Sequence, residues 1–149
     1  MFFINERIGQ LQFSEKESKD HSVASVAKGN SVATINPNYL KAKSPSLRFS
    51  ILIHEARHAE NDGWDHAICP KNLNLRSEVT GLSLAGLEAC EFYSLGAYGV
   101  QIVFLANIGK YATNLSSDEK DNASKYSKSL MDRVINPIQK ALLLDDLKL

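Results

Sequence analysis

Hydrophobic and polar positions follow two different periods along this chain. Across Ser31-Val-Ala-Thr-Ile-Asn36 they alternate singly among β-branched residues, which predicts a strand, and Asn36-Pro37-Asn38 ends it with turn chemistry. Beyond Ser44-Pro45 the period lengthens. Leu47, Ile51, His54 and His58 recur at helical spacing, with Ser44 placed as N-cap and Pro45 at the first helical position. Asn61-Asp62-Gly63 should stop this helix, Gly63 being suited to a left-handed C-cap. Residues 64–77 read as an irregular loop and residues 78–111 as a second long helix. Ser116-x-x-Glu119 is a capping box that opens a third, which Asn136-Pro137 breaks or kinks. Residues 138–149 read as one more short helix. Residues 2–19 show no clean period and read as a short strand with a loop. The expected class is α+β, mainly helical, with a small β-sheet just ahead of the first long helix.

A chain of 149 residues with 44% hydrophobic content can bury one real core, so a single domain over 1–149 is expected. The uncharged stretch 92–109 reaches the lower limit for a membrane span. Ser94, Gln101, Asn107 and several glycines interrupt it, and a helix buried in a core explains it better. Lys+Arg and Asp+Glu both total 17, and no basic cluster is interleaved with aromatics. Neither nucleic acid nor a membrane is therefore an expected partner. The apolar run in Met1-Phe-Phe-Ile-Asn-Glu-Arg is too short for a signal peptide, leaving a cytosolic protein or the mature form of an exported one. Cys69 and Cys90 form one disulfide in an oxidising compartment or remain two buried thiols in a reducing one. They tilt the choice slightly toward export (periplasmic or secreted), and they are too few for a structural zinc site of their own.

The first long helix carries His54-Glu55-Ala-Arg57-His58, an H-E-x-x-H sequence. Residues four apart share a helix face, so His54 and His58 can direct two imidazoles at one ion, Zn2+ being the metal that this pattern suits. Glu55 projects beside that ion, where a carboxylate can take a proton from bound water. Two plainer readings compete: a solvated helix face, and satisfied, partly buried histidines.

A catalytic zinc needs three protein ligands and an open position. His66 follows Gly63 as Gly-x-x-His, but the glycine comes five residues after His58, where the metzincin pattern has three. Two extra helical residues turn the exit by about 200° and lift it about 3 Å, so His66 reaches the metal only if the helix ends early. Glu91 is the alternative and the preferred one. It lies in the expected second helix with Glu88 three residues before it, in an otherwise apolar segment where an ionised acid needs a partner. Glu88 then becomes a carboxylate that orients a ligand imidazole. Tyr98, two helical turns beyond Glu91, is placed either to donate to an oxyanion or to pack as a core tyrosine. Arg57 faces away from the ligands and suits an ion pair. Gly96 and Gly99 suit close packing.

The motif helix followed by a helix bearing a glutamate resembles the gluzincin branch of the zincin metallopeptidases over residues 31–111, with H-E-x-x-H as the specific match. The chain is also similar to small bacterial proteins carrying His-Glu-Ala-Arg-His, His-x-x-Cys, Ala-Cys-Asp/Glu and Gly-Ala-Tyr-Gly. Here these are His54 to His58, His66 to Cys69, Ala89 to Glu91, and Gly96 to Gly99. The resemblance implies a zincin-like fold and zinc-dependent hydrolysis of a peptide bond, in a protein or a cell-wall peptide. It also favours Glu91 over Glu88, retains His66 as a candidate, and strengthens the expectation of a Cys69–Cys90 bridge. The chain departs from it in lacking an Asn-Glu-x-x-Ser-Asp ligand motif. Two other readings remain: a non-catalytic, zinc-stabilised scaffold or binding protein, and a helical interaction module.

Overall fold

The computed structural model describes residues 2–16, 22–60 and 64–147. Its N-terminal part holds a one-turn helix α1 (Phe2–Asn5) and the strands β1 (Gln10–Phe13), β2 (Ala24–Val26) and β3 (Val32–Ile35). The alternating segment forms β3, the centre of a three-stranded sheet in the order β1-β3-β2, parallel to β1 and antiparallel to β2. Asn36 N–H donates to the Val23 carbonyl, and Ser25 faces Thr34 in register. Antiparallel pairs alternate between bonded and non-bonded, so the backbone groups of Ala24 and Val26 point to the open edge. Asn36-Pro37-Asn38 ends β3 as expected but starts a short helix, α2 (Pro37–Lys41), with Asn36 as its N-cap.

Helix α3 (Pro45–His58) begins as its sequence predicts, the Ser44 hydroxyl accepting from Leu47 N–H. It ends at His58, short of the expected stop at Gly63, which with Asn61 and Asp62 lies outside the described residues. The physical cause is at hand. The Ala59 carbonyl is taken by Gly29 N–H of the β2–β3 turn, and the Arg57 guanidinium stacks over the Trp64 ring at 4.1 Å while pairing with Glu60. The chain therefore folds back beside the helix end.

The second long helix starts about nineteen residues later than expected. Residues 78–96 are irregular apart from β5 (Glu88–Cys90), which pairs with the two-residue β4 (Ala67–Ile68). Two tight turns use glycine at positive φ, Gly81 (73°) and Gly86 (78°), a conformation incompatible with a right-handed helix. At Glu91 the backbone pairs with residues 133–135: its N–H donates to Arg133 and its carbonyl accepts from Ile135. Only then does α4 (Ala97–Tyr111) begin. Ser116 caps α5 (Ser117–Leu130), but Glu119 does not close the capping box. Its carboxylate crosses to Ser44 and Ser46, at the start of α3. A 3-10 turn (Met131–Arg133) and α6 (Pro137–Leu147) follow; α5 ends at Leu130, before the expected break at Asn136-Pro137, because residues 133–135 turn extended to pair with Glu91, and Asn136-Pro137 instead opens α6.

Helix α4 lies between α3 and α5. Its Ile102 and Leu105 are fully buried against Leu130, Val134 and Leu143, and burial of each contributes about 2 kcal/mol. Leu47 and Ile51 of α3 pack with Ala24 and Ala42, and Ala56 packs with Ile8 and Ala33. The helix thus stands with one flank on the sheet and another on α4. The class is α+β with small sheets. Among the described residues, no helix is long and apolar enough to cross a membrane.

Candidate metal centre

His54 and His58 face one way from the last turn of α3, and the fold-back after His58 brings His66 over them. The three Nε2 atoms form a triangle with sides of 3.1, 3.1 and 3.2 Å. Tetrahedral ligands bound at about 2.05 Å stand about 3.3 Å apart, so this triangle is the size that a tetrahedral ion takes. The three histidines could hold a metal ion, and among the described residues no further His, Cys, Asp or Glu joins the group. With the early end of α3, His66 converges with the motif histidines, and Glu91, the preferred candidate, stands behind His66 at 3.8 Å from its Nδ1.

Of the nitrogens turned away from the triangle, those of His54 and His58 have partners, and buried His66 Nδ1 makes no hydrogen bond. His54 Nδ1 lies 3.1 Å from Gln101 Oε1; Gln101 Nε2 donates to Ser50 Oγ, which donates to the Leu47 carbonyl. Each donor in this chain has an acceptor only if His54 carries its proton on Nδ1, which leaves the Nε2 lone pair free for an ion. His58 bonds to the backbone of Trp64, and His66 Nδ1 faces the Cys90 backbone with Glu91 Oε1 at 3.8 Å. Burial disfavours the charged imidazoles. It holds His54 well below its ordinary pKa, lowers His58, and takes His66 to about 3, with mutual repulsion adding to the effect at His54 and His66. Three neutral, converging nitrogens are what a cation requires of imidazole ligands.

Glu55 is buried on the same cleft, its carboxylate accepting from Val26 N–H on the open edge of β2. Burial raises its pKa to about 8, against a smaller lowering by that amide. Glu91 is not on a helix; it follows β5 and points its carboxylate at the start of α4. Burial raises its pKa to about 7, while the amides of Tyr98, Ala97 and Gly99 pull it down. A Cβ on Gly96 would lie 2.3 Å from Glu91 Oε2, and one on Gly99 would lie 1.7 Å from the Ser94 carbonyl oxygen. Both glycines thus have a steric reason. Glu88 is exposed on the cleft rim and does not support an imidazole.

Tyr98 is buried at the start of α4, its ring 4.5 Å from that of His54 and 5.0 Å from that of His66. Its oxygen accepts from Arg133 Nη1, and Nη2 of the same guanidinium pairs with Glu78. Sequence reasoning missed Gln101 and Arg133. Each carried a faint signal, a lone amide in the uncharged stretch and a lone cation in Leu130-Met131-Asp132-Arg133-Val134-Ile135. The Cys69–Cys90 bridge does form, with both residues fully buried. It joins the end of β4, three residues after His66, to the residue before Glu91. The four short motifs, separated along the chain, thus meet in one constellation. The chain matches no protein-family model, no curated protein and no solved structure.

Proposed function

We propose that this protein is a zinc-dependent, zincin-like hydrolase that cleaves peptide bonds in a protein or a cell-wall peptide. The observation that carries the reading is the Nε2 triangle of His54, His58 and His66, built on H-E-x-x-H and lining an open cleft. Three neutral imidazoles at tetrahedral separation suit zinc and leave a fourth position free. Zinc bound there would polarise a carbonyl and lower the pKa of its water to about 7.

The chain's own groups supply the rest. Glu55 accepts the proton of the attacking water and returns it to the leaving amine. The Tyr98 oxygen already accepts from Arg133, which turns its own O–H outward as a donor for a developing oxyanion. The open edge of β2 offers the Ala24 N–H and carbonyl to an extended peptide, which would add as a strand along the cleft.

The test is metal analysis together with digestion of a mixed peptide library. The wild type should hold about one zinc per chain and cleave peptides. Glu55→Gln should keep the zinc and lose about 10²–10⁴-fold in rate, because an amide cannot take the proton. Wild-type turnover by this variant would remove Glu55 from its role. Zinc held without cleavage of any peptide would favour the metal-stabilised scaffold.

A further inference from the structure

Helix α4 carries no charge before Lys110 and is apolar on nearly every side. Such a helix belongs where it is covered all round. Ile102 and Leu105 lie in the core, and α3 and α5 cover two flanks. Val100, Val103 and Phe104 are only partly buried, and they line a second hollow of about 500 Å³ that shares no lining residue with the metal cleft. Phe49 and Ile53 of α3 and Leu143 of α6 form its other walls, the Phe49 ring lying 5.6 Å from that of Phe104. Among the described residues that line it, Asp146 alone is charged. Leu95 forms a ridge at its edge, 65% exposed, and Phe92 and Tyr93 before it are each more than half exposed. On α6, Ile138 and Leu142 are one helical turn apart and exposed as well.

We infer that this face is the interface of a two-fold symmetric dimer of this chain. The inference does not depend on the peptide-hydrolase reading. Three observations select a second copy as the occupant. The first is area: Phe49, Phe92, Tyr93, Leu95, Ile138 and Leu142 together expose roughly 700 Å², more than a monomer usually leaves open and close to the ~800 Å² that each partner gives to a stable interface. The second is shape. Ridge and hollow lie side by side, so a two-fold axis between them lays the Leu95 ridge of each copy in the hollow of the other and closes the assembly at two. The third is charge. No Lys or Arg is among the residues that line the hollow, so it offers nothing to anionic lipid headgroups, and a chain of formal net charge zero does not repel its own copy. The ridge is also preformed. Arg57 Nε donates to the Leu95 carbonyl at 2.9 Å, and the backbone N–H and hydroxyl of Ser94 both donate to Gln139 of α6. Little ordering is therefore left for association to offset.

Sedimentation velocity of the full chain, from about 0.1 to 100 µM, tests this. The wild type should reach twice the chain mass at the upper end. Leu95→Asp and, separately, Leu142→Asp should raise the dissociation constant about 30-fold or more, as for residues that anchor an interface. Leu82→Asp, at an exposed leucine between the cleft-lining Val79 and Leu84, should leave it within about twofold. All three leucines are exposed, so the core is untouched, and circular dichroism checks each variant. If one of the interface variants does not fold, the other decides. A wild type that stays monomeric throughout overturns the inference, whether it remains free or floats with phosphatidylcholine vesicles, the second result giving the face to a membrane. A dimer that both interface aspartates leave intact overturns it too, because the contact then lies elsewhere.

Discussion

Helix α3 and the segment from Trp64 to Glu91 serve one cluster of nitrogens by different physical means. In α3 the spacing of His54 and His58 is set by hydrogen bonds inside a 14-residue helix, capped by Ser44 and packed on two flanks. Two imidazoles four residues apart would face together in any such helix. His66 has no such local support. It precedes a two-residue strand and is held by distant contacts: the bridge to Cys90, the stacking of Arg57 on Trp64, and the Arg133–Glu78 pair that pins the loop. One imidazole pair is thus positioned by neighbours in sequence, and the third imidazole by tertiary staples. Perturbing the two regions should therefore have different consequences.

Ligand removal gives the largest difference. His54→Ala, His58→Ala and His66→Ala should each lower zinc affinity by roughly a thousandfold or more, since each removes a bond to the ion. Glu91→Ala should cost about 10–100-fold, as for a residue that only orients a ligand. Competition titration with a chromophoric chelator measures all four. An equal loss for Glu91→Ala and His66→Ala would make both ligands and the centre a closed structural one.

Opening the staple comes next. The bridge spans 21 residues, and removing it as Cys69→Ser with Cys90→Ser should cost about 3 kcal/mol in urea denaturation. Zinc affinity should fall in the same variant because His66 is freed while His54 and His58 remain on their helix. Unchanged affinity would show that Arg57, Trp64 and Glu78 hold His66 unaided.

The smallest effect is on pH dependence in the metal-free protein. Burial keeps all three imidazoles below their ordinary 6.5, so the unfolded chain binds more protons below that pH and stability falls as pH drops. Glu55 and Glu91 are shifted the other way, from 4.5 to about 8 and about 7, so between those limits the folded chain holds the extra protons and stability falls as pH rises. With three groups opposing two below 6.5, stability should peak near pH 6.5 and decline toward pH 8. Urea midpoints in chelator at pH 5.5, 6.5 and 8 measure this. A midpoint still rising at pH 8 would contradict the burial of both carboxylates in their neutral forms.

Much of the fold was legible where a signal was local. Strand β3, the Ser44-Pro45 start of α3 and the Ser116 cap of α5 each depend on residues within a few positions, and each forms. So did the pairing of His54 with His58. The reading failed at residues 78–96, where apolar content suggested a helix and the backbone instead pairs with β4 and with residues 133–135. Local propensity cannot register a hydrogen bond to a strand twenty residues away.

By itself, then, the sequence determined the class of the fold, the two imidazoles on one helix face, and the neighbouring carboxylate of Glu55. Only the tertiary structure brings His66, and not Glu91, within reach of both motif imidazoles. Their convergence depends on where α3 stops, and that is set by Gly29 N–H on the Ala59 carbonyl and by Arg57 over Trp64, contacts between groups far apart or beyond the helix end. It also gave Glu91 its place at the start of α4 and made Gly96 necessary, because a carboxylate folded back on a helix start leaves no room for a Cβ. Helical periodicity is a property of neighbours. A site closed by a loop is a property of the packed chain, since each contact that holds it offsets the entropy of closing that loop only when the others are in place.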